Sequence, residues 1–415
     1  VSPAGTAEGP TLTAILCVNC GSSTVKAALV VVDDPAAGPV GARRLVDCRA
    51  EEVTGPTPFL RTPAGEVEAV GRSGHAAAVE AVLDAIERHG REAGHPAPDV
   101  VAHRLVHGGP HRWAPVRLDD RVLDELDQVA AFAPLHLPPA LAAARRLLQA
   151  RPDLPAVGCF DTAFHHDLPE VATRYALPEA LHRAGVRRYG FHGLSYEWLV
   201  ARLGADALGR AVLAHLGAGS SMAAVDHGRP VDTTMGMTPT GGLVMATRTG
   251  DLDPGLVVHL LRGGGGVAVH TVDELADLVD HGAGLAALGG HGGDVRDLTE
   301  AAGAGDTAAR LALDVYAHSA AKHLAAMSAS LGGLDTVVFT AGIGEHAAGV
   351  RAAIAGRLGH LGVAVEPARN ESAAGDAVGG EGVVISPEGA PVTVRVVATD
   401  EEAVMAHHAV AVLAA

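Results

Sequence analysis

The chain has 415 residues, of which 48% are hydrophobic and 19% charged, and its formal net charge is -17. That length exceeds one ordinary core and suits two domains, while the acidic balance excludes a nucleic-acid binder that relies on a basic footprint. An acidic protein that handles anions must gather positive charge locally; its only lysines are Lys26 and Lys322, so that work falls to arginines, backbone N–H groups or a metal.

Residues 1–11 read as an unstructured start without the basic and apolar stretches of a secretory signal, and no run of about 20 apolar residues predicts a membrane span. Leu12–Val18 and Val25–Val32 read as a hairpin turning through Gly21-Ser22-Ser23, with Arg43–Glu52 as a third strand. Cys17-x-x-Cys20 lies along the first strand with no second pair and no helix start behind it. The four cysteines therefore read as reduced thiols in a cytoplasmic protein. Helical spacing marks Gly74–His89, with Gly90 as its stop. Val100–Val106 and Ala156–Phe160 are strand-like, and Asp119–Phe132 and Pro138–Ala150 are helical.

Residues 186–192 form a strand or loop, followed by a helix over Ser195–Leu203. Ala211–Leu216 and Met222–Val225 make a second hairpin, turning through Gly217-Ala218-Gly219-Ser220-Ser221. Thr271–Leu278 and Asp306–Ser330 are helices, the latter long enough to be a buried interdomain or dimer element. The strand Asp335–Phe339 runs into a glycine turn, Gly342-Ile343-Gly344, and a helix over Glu345–Leu358. Val383–Ile385 and Val392–Val397 are strands, and Asp400–Ala414 is a closing helix with Thr399 as its N-cap. This order predicts an α/β fold with mixed sheets flanked by helices.

The two glycine-serine hairpins lie about half a chain apart, each after an apolar strand and before another. Such a repeat predicts two similar lobes with a cleft between them, each presenting backbone N–H groups to an anion. Unusual polar residues sit at predicted strand ends, where α/β proteins bind ligands: Asn19, Ser22, Lys26, Arg104, His136, Asp161, His192, His215, Arg248 and Glu401. Singly, each has a structural explanation. Arg104 suits a buried ion pair, His192 a core imidazole, Asp161 a turn cap and Glu401 a helix-dipole complement. As a set they suit phosphoryl transfer, with Arg and His on the transferring group and carboxylates on Mg²⁺.

From about Ile15 to His407 the chain resembles the acetate kinase family, in the superfamily of sugar kinases, chaperone ATPases and actin. VNCGSSTVK is similar to the family's VNAGSSSLK, and HRLVHGG, APLHLPP, FDTAFH, RRYGFHG, HLGAGSS, DTTMGMTPTGGLVMATRTGDLDPG, GGDVRD, FTAGIGEH and TDEEAVMA follow in the family's order. The resemblance implies two ribonuclease-H-like, actin-like ATPase domains, 1–162 with 399–415 and 163–398. It implies reversible phosphoryl transfer from ATP to acetate, giving ADP and acetyl phosphate, in a cytoplasmic homodimer, with Mg²⁺ or alternatively Mn²⁺ and with no nucleic-acid or membrane partner.

By the same resemblance Arg104, Asp161, His192 and Arg248 are catalytic, and Asn19 and Glu401 serve the metal. Arg104, Val106, Leu135, His136, Phe191 and Pro239 surround the acid. Ser22, Lys26, His215, Gly217, Gly219, Asp294, Arg296, Gly342, Ile343 and Gly344 hold the nucleotide. The departures fall mostly on the nucleotide side: Ala218 for Asn, Ala341 for Gly and His346 for Asn. Leu137 also replaces Asn, Thr24 replaces Ser, and the family's GTSH is GLSY, ending in Tyr196. Those departures keep three alternatives open: a propionate or butyrate kinase, a kinase using another phosphoryl donor such as pyrophosphate, and a non-catalytic nucleotide sensor.

Overall fold

The computed structural model describes residues 13–21, 24–62, 64–266, 269–375 and 379–415. The expectations for residues 1–11, Leu12, Ser22 and Ser23 lie outside the described residues. The chain divides into two compact units, Val1–Ala163 with Asp400–Ala415, and Phe164–Thr399. Among the described residues no helix is long and apolar enough to cross a membrane.

The first unit carries strands β1 (Thr13–Cys20), β2 (Val25–Val32), β3 (Ala42–Glu51), β4 (Phe59–Arg61), β5 (Val67–Ala69), β6 (Val100–Leu105), β7 (Val116–Arg117) and β8 (Ala156–Phe160), and helices α1 (His75–Glu92), α2 (Asp120–Asp127) and α3 (Leu137–Ala150). They form one sheet in the order β5-β4-β3-β2-β1-β6-β8-β7. β1 and β2 are buried along nearly their whole length, as a sheet covered on both faces requires. β1 pairs antiparallel with β2 and parallel with β6, and β6 parallel with β8. The C-terminal helix, Glu401–Ala414, packs against β1, β2, β6 and β8.

Two expectations change here. Gly90 does not stop α1, which runs on to Glu92 with Gly90 buried in it; a Cβ there would make only an ordinary 3.9 Å contact with Leu29, so close packing does not require this glycine. The helix expected over Asp119–Phe132 ends at Asp127 and resumes only as a 3₁₀ turn at Ala130–Phe132, with Asp119 as its N-cap.

The second unit carries α4 (Glu170–Thr173), α5 (Glu179–Arg183), α6 (Gly193–Leu203), α7 (Ala205–Leu208), β9 (Arg210–Leu216), β10 (Ser220–Asp226), β11 (Arg229–Thr233), α8 (Pro254–Leu261), α9 (Val272–Asp280), α10 (Gly284–Gly289), α11 (Val295–Gly303), α12 (Thr307–Leu331), β12 (Thr336–Thr340), α13 (Ala341–His346), α14 (Ala348–Ala355), α15 (Pro367–Ser372), β13 (Val383–Val384) and β14 (Thr393–Val396). The sheet order is β11-β10-β9-β12-β14-β13. Five strands thus repeat one pattern: β3-β2-β1-β6-β8 in the first unit and β11-β10-β9-β12-β14 in the second. In both, an antiparallel hairpin is continued by parallel strands.

α12 starts at the side chain of Asp306, which accepts from the N–H groups of Ala308 and Ala309. Its buried stripe of Ala309, Ala312, Ala317, Ala320 and Ala321 packs on β9 and β10 within its own unit, which small side chains permit at close range. The glycine turn expected at Gly342–Gly344 is helical: α13 begins at Ala341, so these glycines form its first turn. The N-cap of the C-terminal helix is Asp400, whose carboxylate accepts from Ala403 N at 3.0 Å, not Thr399.

Candidate active site

In the first unit the polar residues sit at the ends of adjacent strands. Asn19 is near the end of β1, Arg104 near the end of β6, and Asp161 follows β8; Glu401 opens the C-terminal helix. Arg104 gives Nε to Asp161 Oδ1 (2.9 Å) and Nη2 to Asp161 Oδ2 (2.6 Å), a two-point clasp that fixes the plane of the guanidinium. Its Nη1 turns to Asn19 Oδ1 (3.5 Å) and Glu401 Oε2 (3.3 Å). Asp161 is 1% exposed and the Arg104 side chain 17%, so one largely buried guanidinium faces two carboxylates. Burial, assisted by Asp161 and Glu402 and opposed by Arg104 and Lys26, pushes the Glu401 carboxyl up to about 7.

That surplus of negative charge, with the amide oxygen of Asn19 beside it, is a donor set of hard oxygens suited to Mg²⁺. Among the described residues no group of three or more His, Cys, Asp or Glu could hold a metal ion. An ion here would therefore draw its remaining ligands from water and phosphate, as Mg²⁺ commonly does. Lys26 is exposed on β2, paired across the hairpin with Asn19; Ser22 lies outside the described residues.

In the second unit His192 adopts a left-handed backbone (φ 56°) as the N-cap of α6, which turns its ring toward the start of β10. Its Nδ1 lies 2.8 Å from Ser221 Oγ, and its ring stacks on that of His215, with centroids 4.0 Å apart and planes 13° from parallel. His215 Nδ1 lies 2.9 Å from Ser195 Oγ, which accepts from Thr399 Oγ1 at 2.9 Å. Each imidazole is thus tied to a serine through Nδ1. Arg248 donates from Nη1 to Pro239 O at 3.1 Å, and burial, only partly offset by Asp280, draws its pKa down. These groups converge over Gly219. A Cβ built there would lie 3.4 Å from Arg248 Nη1 and 3.6 Å from His192 Nε2, so the missing side chain leaves room for a small anion between two donors.

A cavity of about 1200 Å³ opens beside this cradle, within the same unit. Of the residues expected to hold a nucleotide, Gly217, Asp294, Arg296, Gly342 and Ile343 line it, whereas His215, Gly219 and Gly344 do not. Asp294 caps α11 and pairs with Arg296 at 2.8 Å. Sequence reading missed Arg310, Asp314 and Glu371 on the cavity wall. It also missed Glu345, which accepts from Ala341 N at 2.8 Å and from Thr399 N at 3.3 Å. The carboxylate in AGIGEH was a visible signal for Glu345; the other three carry none.

Of the expected acyl-site residues, Val106 follows β6 and is buried, while Leu135 and His136 are half-buried just before α3. Phe191 and Pro239 are buried in the second unit.

Residues 14–407 match the sequence profile of the acetokinase family. The chain belongs to that family. It is 42% identical over 405 residues to acetate kinase of Micrococcus luteus, covering 94% of this chain and 97% of that one. Among solved structures, a propionate kinase from Francisella tularensis superposes with a TM-score of 0.83 at 31% identity, covering 95% of this chain and 98% of the other. Acetate kinase of Porphyromonas gingivalis gives 0.80 at 32%, covering 97% and 100%. The repeated strand order is accordingly that of two ribonuclease-H-like domains of the actin-like ATPase kind.

Against the acetokinase motifs, one departure now has a structural cost. Ala341, where the motif has Gly, holds φ 64° at the start of α13. A Cβ disfavours that left-handed region. Ala218 and His346, both in place of Asn, line the nucleotide-sized cavity.

Proposed function

We propose that this acetokinase-family chain is an Mg²⁺-dependent acetate kinase, transferring the γ-phosphoryl group of ATP to acetate and back. The observation that carries the reading is the opening over Gly219, where His192 Nε2 and Arg248 Nη1 face one point. A simple carboxylic acid, like side-chain carboxylates with pKa ~4, is already ionised at pH 7. The nucleophile needs no general base; the obstacle is repulsion between two anions.

Arg104, aimed by Asp161, and Arg248 take up that charge on the acid and the transferring group, and His192 donates to an equatorial oxygen. A carboxylate oxygen bonds to phosphorus as the bond to the ADP oxygen breaks, in line, without proton transfer. Asn19 and Glu401 would hold the metal, which would offset the negative charge of the nucleotide phosphates. The cavity lined by Asp294, Arg296, Gly342 and Ile343 takes the adenosine, and by the family resemblance Ser22, Lys26, His215, Gly217, Gly219 and Gly344 serve the phosphates. By the family resemblance Val106, Leu135, His136, Phe191 and Pro239 serve the acyl group.

We further read the protein as cytoplasmic, where ATP is available and thiols stay reduced, in keeping with its four buried free cysteines. We also read it as a homodimer. Helix α8, PGLVVHLL, buries none of its residues although Leu256, Val258 and Leu261 are 39%, 46% and 39% exposed. A second copy would cover this apolar surface.

The likeness to a propionate kinase favours one second reading, a propionate preference. An acyl-hydroxamate assay with acetate, propionate and butyrate, each offered ATP or pyrophosphate, tests both. The highest kcat/KM is expected with acetate and ATP. A preference for propionate moves the assignment to that acid. Formation of acyl phosphate only from pyrophosphate, or no formation at all, overturns it.

A further inference from the structure

The residue that distinguishes this chain beside the phosphoryl cradle is Tyr196. It stands where the family's GTSH motif ends in His, and its side chain is fully buried. Its hydroxyl lies 2.5 Å from Ser221 Oγ, and Ser221 Oγ lies 2.8 Å from His192 Nδ1. Three groups form a line: phenol, serine hydroxyl, imidazole. A serine hydroxyl has one proton to give. A phenol is the stronger acid of the two hydroxyls and so the better donor; a Ser221 Oγ that accepts from Tyr196 donates more strongly in turn to Nδ1, and the single proton of neutral His192 then sits on Nε2.

We propose that Tyr196 is a positioning residue that sets the tautomer of His192 through Ser221, holding Nε2–H toward the phosphoryl group. The inference rests on the proposed function for its consequence, but not for its geometry. Nε2 faces the same opening as Arg248 Nη1. A protonated Nε2 adds a second donor to that opening; a bare Nε2 would present a lone pair to an anionic oxygen. The neighbouring imidazole is wired the same way. Thr399 Oγ1 donates to Ser195 Oγ, leaving the Ser195 proton for His215 Nδ1.

Charged and titratable groups facing this line include His215, stacked on His192 from β9, and Arg248, from the loop after β11. His165 meets the Tyr196 ring edge-on at 5.7 Å. Arg248 disfavours a second positive charge on His192 by like-charge repulsion. The site therefore gains from a neutral imidazole that still donates from Nε2.

Removing the phenol hydroxyl removes that cooperative bias on the Ser221 O–H, so Ser221 accepts from Nδ1–H as readily as it donates, and the tautomer with a bare Nε2 becomes populated. Tyr196→Phe should lower kcat about three- to tenfold at about pH 8, the worth of one neutral hydrogen bond. The KM values for acid and nucleotide should stay within about twofold, since ground-state binding is untouched. The deficit should shrink on acidification, once His192 gains its second proton and Nε2 is protonated either way. A packing defect would give a deficit independent of pH.

The test measures kcat against pH for wild type, Tyr196→Phe, His192→Ala and the double variant. It adds the ¹⁵N spectrum of His192 in the wild type at about pH 8, assigned by its loss in His192→Ala. Expected are a pH-dependent deficit, no further loss from Tyr196→Phe in the His192→Ala background, and a wild-type His192 protonated at Nε2 only. A pH-independent deficit, an equal loss in both backgrounds, or a wild-type His192 protonated at Nδ1 overturns the proposal. Should the wild type form no acyl phosphate, the proposed function falls, while the ¹⁵N spectrum still decides the tautomer.

Discussion

The two units share a strand order but set opposite kinds of polar group beside their central strands. In the first, Arg104 is bound through two nitrogens to Asp161, with Glu401 on its third, so its charge is matched by carboxylates within the fold. In the second, Arg248 meets a carbonyl and a thioether, and its neighbours His192 and His215 are held by serine hydroxyls. Burial lowers the pKa of both guanidiniums. At Arg248 it prevails, whereas at Arg104 it is outweighed by Asp161 and Glu401 together, and the pKa rises. One topology thus yields a rigid ionic clamp in one copy and a cradle of cationic and neutral donors in the other. The first suits aiming a charged group beside a metal; the second suits receiving a transient anion.

The comparison breaks most visibly at the arginines. Arg248→Ala and Arg104→Ala should each lower kcat by roughly 10²–10³-fold, the usual loss for a preorganised donor to transition-state charge. They should part in stability. Arg104→Ala leaves Asp161 and Glu401 buried without their cation, a change of the kind that costs ~3–5 kcal/mol. Arg248→Ala instead removes bonds to a carbonyl and a thioether and should cost less. Equal melting temperatures for the two variants would refute the contrast.

Gly219→Ala is the next largest. The new methyl group would stand between Arg248 Nη1 and His192 Nε2, 3.4 and 3.6 Å away. Steady-state assays should show kcat reduced about tenfold or more, as misplacement of a reacting group by ~1 Å can cost 10²-fold. Retention of full activity would mean that the anion sits elsewhere.

Glu401 sharpens the first half of the contrast. Its folded pKa of about 7 lies above the unfolded carboxyl's, so the folded state holds more protons between them. Stability from this group is therefore full below ~4.5 and falls as pH rises through about 7, by on the order of 1–3 kcal/mol. Urea titrations without metal from about pH 5 to 8 should show wild type losing stability relative to Glu401→Gln, with Mg²⁺ and nucleotide restoring it. Parallel pH curves for the two proteins would show that Glu401 is not strained by its surroundings.

The smallest effect belongs to Ala341, whose φ is 64°. Ala341→Gly should stabilise the fold by about 1 kcal/mol, by relieving the strain of a Cβ in left-handed backbone. A lowered melting temperature would show instead that chain entropy dominates there.

Much of this molecule was legible in its sequence. Alternation and apolar runs marked β1, β2, β8 and β9 to within two residues, and Asp306 announced α12, because such patterns are governed by neighbours a few residues apart. The doubled glycine-serine hairpin anticipated the repeated sheet order, and positions at predicted strand ends, with the family resemblance, nominated Arg104, Asp161, His192, Arg248 and Glu401. What the sequence could not carry were partnerships spanning many residues. Asp161 clasps Arg104 from 57 positions away because β6 and β8 lie side by side in parallel register. Tyr196 reaches Ser221 from 25 positions away because α6 returns beneath β10. Thr399 looked like a helix cap, yet its hydroxyl goes to Ser195 and Asp400 takes the cap. In each case a short polar side chain had several local uses, and the strand order decided which partner stood within hydrogen-bonding distance.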